Sequence, residues 1–260
     1  EKYRAYLKGL ITIHQKPEDK SLRQVKNIYI RESSKIVVQD LLKDPRSGKI
    51  KEAETLVEEI INSIHNSKGI VSGLFTIQKY DFYTYTHCVN AAVFSLGVAK
   101  EIGSFNDEEM YSLGIGSMLH DIGKSKIPIS VLNKPSRLTD TEFILMKQHV
   151  LLGRKILSER KDLPKTSIYP VLEHHETMNG KGYPNGISGK DIHPFGRIAS
   201  VTDVYDALTT ARPYKKAFSS FEAMEIIAKQ IDAFDKEIVS NFIIMLGNIN
   251  YPTTSKQNTL

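Results

Sequence analysis

From Tyr80 onward, the apolar residues of the chain recur at helical spacing, and alternation with a period of two is nearly absent. Glycines and prolines divide this region into segments of helical length. Three segments begin with a polar residue that is followed three positions later by glutamate, namely Asn106 with Glu109, Thr139 with Glu142, and Ser219 with Glu222. The sequence therefore predicts an all-α fold, a helical bundle.

The predicted helices are separated by loops rich in glycine, proline and asparagine. In chain order they run from about Phe82 to Ile102, from Asn106 towards Gly123, from Thr139 past Ile156, through Val171 and His175, and from about Ile198 to Ala211. The stretch from Asn179 to Gly189 is predicted to be a loop. In the third helix, Phe143, Met146, His149, Gly153 and Ile156 share the face that is predicted to be buried.

The N-terminal region differs in character from the rest. From Lys16 to Lys35 the chain is polar and dense in charge, which predicts a loop or weakly ordered structure. From Ile50 to Ile64 the apolar spacing predicts an amphipathic helix that packs on its own domain or pairs with a second copy. We predict a division into 1–70, a partial regulatory domain with a linker helix, 71–250, the main domain, and 251–260, a flexible tail. The chain begins with Glu1 rather than methionine, so both a fragment and a whole protein stay open.

Composition excludes several classes of protein. Hydrophobic residues make up 40% and charged residues 25% of the chain, which excludes disorder and fibrous repeats. No apolar stretch approaches the ~18 residues of a membrane span. A net charge of +5, from 35 basic and 30 acidic residues, is too small to indicate a nucleic acid polymer as partner. The single cysteine, Cys88, excludes an internal disulfide framework and fits a reducing compartment.

Seven titratable residues are predicted to lie within or at the ends of apolar helices. They are His87, His120, Asp121, His149, His174, His175 and Asp203. Each by itself has an ordinary interpretation, as a hydrogen-bonded core residue or a polar helix end. Burying five imidazoles and two carboxylates without partners would cost several kcal/mol per group. A pair of divalent metal ions removes this cost, and mixed nitrogen and oxygen ligands without thiolates favour iron or manganese.

The pair His120-Asp121, together with the other five positions, resembles the HD metal-phosphohydrolase superfamily. The stretch from His174 to Pro184, HHETMNGKGYP, is similar to the signature of its HD-GYP branch. Further similar segments are Tyr83-Thr84, Ile127-Pro128, Lys134-Pro135, Leu138-Thr139, Asp203 to Ala207 and Arg212 to Tyr214. The resemblance covers about residues 80–235 and does not extend to 1–70.

The resemblance implies a helical HD-type bundle that hydrolyses cyclic di-GMP to linear pGpG, and in some members to GMP, through a hydroxide that bridges two metal ions. It implies one ion held by His87, His120 and Asp203. It implies a second held by His149, His174 and His175, with Asp121 bridging both. Lys124 matches a lysine that contacts the substrate phosphate, so Asp121 and Lys124 are the expected catalytic residues. Arg212 and Lys215 match further phosphate-binding positions.

Three positions bear on this assignment. Some relatives hold a third metal through a glutamate at the position of Tyr83, so we predict two metals here. Tyr183, in the Gly-Tyr-Pro loop, has two interpretations, either contact with substrate and partners or packing as a loop anchor. Asp206 is predicted to orient a neighbouring ligand or to pack rather than to bind metal.

Two other functions stay open at this stage. One is a non-catalytic cyclic di-GMP receptor, or a docking module for a diguanylate cyclase (GGDEF) domain through the Gly-Tyr-Pro loop. The other is an enzyme of the same superfamily that acts on a nucleoside monophosphate or an alarmone. The match at 182–184 and 212–214 argues against the latter. The resemblance implies a bacterial cytoplasmic protein of motility and biofilm signalling, and a homodimer is a further candidate assembly.

Overall fold

The computed structural model describes residues 20–66, 83–211 and 216–250. The helices are α1 (Lys20–Lys43), α2 (Ile50–Asn66), α3 (Tyr83–Ile102), α4 (Asp107–Met118), α5 (Ile129–Leu132), α6 (Asp140–Ser158), α7 (Ile168–Glu173), α8 (Pro194–Thr209), α9 (Ser220–Lys229) and α10 (Lys236–Asn250). Short 3₁₀ turns lie at Ile122–Lys126, Lys165–Ser167, Gly189–Asp191 and Ile231–Ala233. Because no strand occurs in these three ranges, the predicted all-α class is confirmed.

Helix α3 is the centre of the bundle. It packs against α1, α2, α4, α8 and α10, and nearly every side chain from Cys88 to Ala99 is buried. A helix that is apolar on all sides must be surrounded, which explains its position. Phe94 of α3, Tyr205 of α8 and Phe242 of α10 meet edge to face, with ring centroids 4.8–5.6 Å apart. These rings join the three helices at the core.

Helix α1 corrects one prediction. The stretch from Lys16 to Lys35 is not a loop where it is described, since α1 is helical from Lys20. Ile30, Val37 and Leu41 of α1 are fully buried and belong to the same core as α3. Polar residues on the same helix, among them Asn27 and Ser34, are buried as well. They hide the helical pattern of apolar residues, so tertiary contacts rather than amphipathicity stabilise this helix.

Helix α2 is the predicted amphipathic helix. Its residues Ile50, Val57, Ile60 and Ile64 are buried against this same chain, mainly against α1, α3 and α4. Of the two interpretations from sequence, packing on its own bundle is therefore the one observed. The Lys100 ammonium donates to the Ile64 carbonyl near the helix end, where a cation is favoured. The division into 1–70 and 71–250 stays a prediction, and the tail 251–260 lies outside the described residues.

The helix starts follow the predicted caps. Capping boxes form at Asn106, Thr139 and Ser219, as predicted. Helix α3 ends before Gly103, which adopts a positive φ of 73°. Helix α8 begins earlier than predicted, because the His193 ring accepts from the Phe195 amide and Pro194 occupies the first turn. No helix in the described ranges has the length and apolar character to cross a membrane.

The predicted buried face of α6 is partly wrong. His149 and Gly153 are buried, but the Phe143 side chain is 46% exposed. Phe143 lies in the first turn of α6, beyond the elements that cover His149. The 3.6-residue period correctly places these residues on one face, but it does not show how far along the helix that face is covered.

We predict that Ile30→Ala will lower the free energy of unfolding by about 2–4 kcal/mol, because it leaves a cavity between α1 and α3. Ile36→Ala on the same helix is the matched control, since Ile36 is 37% exposed and its truncation should cost less than about 1 kcal/mol. Urea unfolding of both variants measures the difference. Equal and small losses would show that α1 is not part of the core.

Candidate metal centre

The seven titratable residues singled out in the sequence converge in one buried cluster. Their ligand atoms form three overlapping groups, each within 4.8 Å. The groups are His87 with His120 and Asp203, His149 with His174 and His175, and His120 with Asp121 and His174. Residues separated by up to 116 positions therefore meet at one point, as predicted from sequence.

The turn that carries His120 and Asp121 is brought against α6 by glycines. Gly123 follows this turn, and a Cβ atom on it would lie 1.9 Å from the His149 carbonyl oxygen. A Cβ atom on Gly153 of α6 would lie 2.8 Å from a methyl group of Val171. No larger side chain fits at Gly123 without displacing backbone. This close approach places His149 beside Asp121, with the His149 Nε2 atom 3.5 Å from the Asp121 Oδ1 atom.

Two imidazoles face each other through atoms that both carry lone pairs. Burial lowers the pKa of both His149 and His174, so both rings are neutral at pH 7. Their Nδ1 atoms lie 2.8 Å from the carbonyl oxygens of Met146 and Pro170, which fixes the proton on Nδ1. Each Nε2 atom is then an acceptor, and the two Nε2 atoms are only 3.3 Å apart. A cation that both nitrogens coordinate removes this repulsion.

Other buried polar atoms in the cluster also lack partners. The His120 Nε2 atom and the Asp121 Oδ1 atom have no hydrogen-bond partner among the described protein atoms. Unpaired buried groups of this kind cost free energy, and native proteins seldom leave them so. Imidazole nitrogens and carboxylate oxygens together are a ligand set that suits a divalent transition metal. The residues present therefore fit a metal site.

The acidic residues of the cluster favour the protonated, positively charged form of His87 and His120. Burial alone would lower the pKa of His87, but hydrogen bonds to Asp203 and Asp206 raise it to about 10. Burial is likewise outweighed at His120, where Asp121 and Asp203 raise the pKa to about 9. Both histidines thus hold protons when no other cation is present. Metal ions would replace these protons, because the ligand atoms must be deprotonated to bind.

Asp206 holds His87 in place from the outside of the cluster. Its Oδ2 atom lies 2.7 Å from the His87 Nδ1 atom, and its Oδ1 atom accepts from the Asn90 amide at 2.7 Å. The carboxyl group is fully buried. With Nδ1 occupied in this way, the His87 Nε2 atom points to Asp203, at 2.9 Å from its Oδ1 atom. Asp206 therefore orients His87, a candidate ligand, which agrees with one of the two roles predicted for it, and Asn90 orients Asp206 in turn.

The family follows from comparison with known proteins. The family model described as HD domain matches residues 78–238. The chain belongs to the HD domain family. The resemblance stated from the sequence is thereby confirmed.

Relatives of this HD domain are named as cyclic dinucleotide phosphodiesterases. Cyclic di-GMP phosphodiesterase PA4108 of Pseudomonas aeruginosa is 33% identical over 217 residues, which are 82% of this chain and 52% of that protein. The 3'3'-cGAMP-specific phosphodiesterase 1 of Vibrio cholerae is 31% identical over 158 residues, which are 57% of this chain and 34% of that protein. The chain thus spans about half the length of the first relative and a third of the second.

A solved structure shares the fold. Bd1817, a HDG"Y"P protein from Bdellovibrio bacteriovorus, superposes with a TM-score of 0.79 at 21% identity, covering 94% of this chain and 79% of that chain. The shared region includes the helices that carry the cluster as well as N-terminal residues. At this level of identity the likeness supports the architecture and not a particular activity.

Lys124 and Tyr183 of the HD domain also lie at the cluster. The Lys124 ammonium donates to the Asp121 Oδ2 atom. Burial lowers the pKa of Lys124, but Asp121 and Asp203 outweigh it and raise the pKa, so the lysine stays charged. The Tyr183 ring stacks on the His175 ring, with centroids 4.6 Å apart and planes at 27°. Arg212 and Lys215 lie outside the described residues.

Glu176 anchors the Gly-Tyr-Pro loop. Its buried Oε1 atom accepts from the backbone amides of Asn185 at 2.7 Å and Gly186 at 3.1 Å. A Cβ atom on Gly182 would lie 2.5 Å from the His175 carbonyl oxygen, so the loop passes too close for a side chain. The loop therefore holds the Tyr183 ring against His175. Charge-assisted bonds to two amides are stronger than neutral ones.

Sequence reasoning missed the roles of Glu176 and Asn90. A signal for Asn90 was present, since it lies three residues after His87 and interrupts an otherwise apolar helix. Glu176 gave no comparable signal, because its partners come from a loop whose path is set by tertiary structure. Two further histidines of the described residues lie away from the cluster. His193 stacks on Tyr169, and His65 is near Asp107.

We predict that Asp206→Ala will weaken binding of manganese by roughly 10–100-fold, because His87 loses the acceptor that orients it. Asp206→Asn keeps a carbonyl acceptor for His87, so it should lose less manganese affinity than Asp206→Ala. Competition with a chelating dye measures the affinity. Asp235→Ala, which breaks an ion pair with Arg197, is the control for loss of a partly buried carboxylate outside the cluster, and equal loss in both alanine variants would contradict the orienting role.

We predict that Glu176→Ala will release the Gly-Tyr-Pro loop. Amide hydrogen exchange at Asn185 and Gly186 should then accelerate by at least about tenfold, since each lost bond to a charged group is worth about 1.5–3 kcal/mol. Glu176→Gln keeps one carbonyl oxygen as an acceptor, so the amides of Asn185 and Gly186 should exchange more slowly in this variant than in Glu176→Ala. Glu173→Ala is the matched control, because Glu173 is also buried in this segment but accepts from the His193 amide. Unchanged exchange in Glu176→Ala would exclude the anchor.

Proposed function

We propose that this HD domain is a metal-dependent phosphodiesterase that hydrolyses cyclic di-GMP to linear pGpG, with GMP as a further candidate product. The convergence of five histidines and two aspartates, with lone pairs that face each other, carries the proposal. Proteins named as cyclic di-GMP phosphodiesterases among the relatives support the substrate. All seven proposed ligand positions are retained in this chain, which favours an enzyme over a receptor.

Two divalent ions, iron or manganese, are proposed as cofactors. His87, His120 and Asp203 would hold one ion, and His149, His174 and His175 the other. Asp121 lies between the two sets, since its Oδ2 atom is 3.4 Å from the His120 Nε2 atom and its Oδ1 atom is 3.5 Å from the His149 Nε2 atom. Each carboxylate oxygen thus faces one set, which is the arrangement that a bridging ligand needs.

When bound, the two ions supply a hydroxide nucleophile near neutral pH and offset the charge on the leaving oxygen. The seven residues would hold these ions through imidazole nitrogens and carboxylate oxygens, a ligand set that suits divalent iron or manganese. Asp121 and the histidines fix where these ions would lie. The enclosing helices keep bulk water from the buried ligands, which strengthens electrostatic interactions within the cluster.

Lys124 is proposed as the residue that neutralises the reacting phosphate. It is charged, it already lies at Asp121, and its side chain is 24% exposed, so it reaches the open side of the cluster. Arg212 and Lys215 are proposed as further phosphate ligands on the basis of the family resemblance alone. Tyr183, stacked on His175, is proposed to contact the substrate next to the second ion.

A hybrid cyclic dinucleotide is the second candidate substrate. Relatives from Vibrio cholerae are named as 3'3'-cGAMP-specific phosphodiesterases and are 31–38% identical to this chain. Because these relatives are similar to this chain over 125–158 residues, a cyclic dinucleotide with one guanine and one adenine base is compatible with this kind of site. Side-by-side assay of both dinucleotides separates the two.

The proposal is tested by incubating the purified protein, without oxygen, with ferrous iron or manganese and cyclic di-GMP. We expect pGpG and GMP to form, as followed by chromatography. His120→Ala and Asp121→Ala should lose metal and reduce turnover to background. Lys124→Ala should keep its metal and lose about 100-fold in turnover, because it removes one charge that stabilises the transition state.

Three outcomes would argue against the proposal. If the metal-loaded protein binds cyclic di-GMP without product, the alternative of a receptor, or of a docking module for a diguanylate cyclase (GGDEF) domain, is correct. If Lys124→Ala loses both metals, its role is structural. Full activity in Asp121→Ala would remove the proposed centre altogether.

A further inference from the structure

Lys147 is a cation held between two aromatic rings at the edge of the metal centre. Its Nζ atom lies 4.8 Å from the centroid of the Phe143 ring and 4.9 Å from that of the Tyr183 ring. Both distances are within the range of a cation–π contact. Phe143 lies one turn earlier on α6, and Tyr183 comes from the Gly-Tyr-Pro loop. The ammonium therefore connects helix α6 with the Gly-Tyr-Pro loop.

The neighbours of Lys147 place it beside the reacting centre. The Tyr183 ring, on which it lies, stacks in turn on His175, a proposed metal ligand. The loop that carries Tyr183 is fixed by Glu176, so the position of the ammonium is fixed as well. His149, another proposed metal ligand, lies two residues after Lys147 on the same helix. A single ring, that of Tyr183, therefore separates Lys147 from a proposed metal ligand.

The surroundings of Lys147 suit a flat, polar ligand. In the described ranges no carboxylate lies within ion-pair distance of its ammonium, and so its hydrogen-bonding capacity is available to a ligand. The Phe143 ring is 46% exposed and offers a stacking face. Aromatic faces of this kind bind nucleobases by stacking. A lysine beside such a face can donate to the O6 and N7 acceptors of guanine.

We propose that Lys147, with the rings of Phe143 and Tyr183, forms a subsite for one guanine base of the substrate and that Lys147 donates to the O6 and N7 atoms of that base. The inference rests on the proposed cyclic dinucleotide phosphodiesterase activity and adds the residue that distinguishes guanine from adenine. Adenine carries an amino group at the position of O6 and repels an ammonium there. Lys124 already serves the phosphate at the metals, which leaves Lys147 for the base.

The test compares manganese-loaded wild type with Lys147→Met and Lys147→Gln on cyclic di-GMP, cyclic di-AMP and bis(p-nitrophenyl) phosphate, a diester without a base. We expect Lys147→Met to lose about 10-fold or more in kcat/KM on cyclic di-GMP and less than about twofold on the other two. Lys147→Gln should shift the ratio of guanine to adenine substrates towards adenine by about 10-fold, because a glutamine amide pairs with adenine N6 and N7. Metal content should equal that of wild type.

Lys155→Gln, near the end of the same helix, is the matched control and should change none of these values. Equal losses of Lys147→Met on both dinucleotides would assign Lys147 to phosphate and overturn the inference. So would unchanged kinetics, or loss of metal from the variant. Wild type that hydrolyses the base-free diester but neither dinucleotide would instead refute the proposed function, and the inference with it.

Discussion

The candidate metal centre depends on two neutral imidazoles whose Nε2 atoms point at each other with no proton between them. Backbone carbonyls of Met146 and Pro170 take the Nδ1 protons of His149 and His174, and the opposite nitrogens lie 3.3 Å apart. This arrangement is unfavourable by itself. A cation coordinated by both nitrogens would compensate it, so the arrangement fits a cation site better than a set of ordinary core histidines.

The rest of the bundle keeps these groups at that distance. Helix α3 is surrounded on all sides and fixes His87, while Gly123 lets the turn after α4 touch the backbone of α6. Because the interior is close-packed, a shift of any one element would move a ligand. The N-terminal helices α1 and α2 contribute to the same core. The centre thus relies on packing well outside the residues that form it.

The electrostatic character of the cluster differs between its two halves. On one side, burial leaves His149, His174 and His175 neutral, with the pKa of His175 lowered to about 4. On the other, the acidic residues raise the pKa of His87 to about 10. Asp121 lies between these halves and faces both. The two sets of candidate ligands therefore differ in charge, one lying beside carboxylates and the other formed by neutral imidazoles.

The sequence by itself determined the helical class, the three capping boxes and the seven residues of the cluster. Helical periodicity and caps are local, and a histidine or aspartate within an apolar helix is visible without knowing its partners. The sequence did not reveal that α1 is a core helix, because its buried face includes Asn27 and Ser34. Nor did it show how far Phe143 is exposed.

Only the tertiary structure decided which groups support the ligands. Asp206 meets His87 across 119 residues, and Glu176 accepts from amides of a loop whose path depends on its packing against His175. Lys147 joins Tyr183 for the same reason. Such contacts depend on the relative placement of helices and loops to within an ångström. Periodicity gives the face of a helix, but not the partner that comes to lie against it.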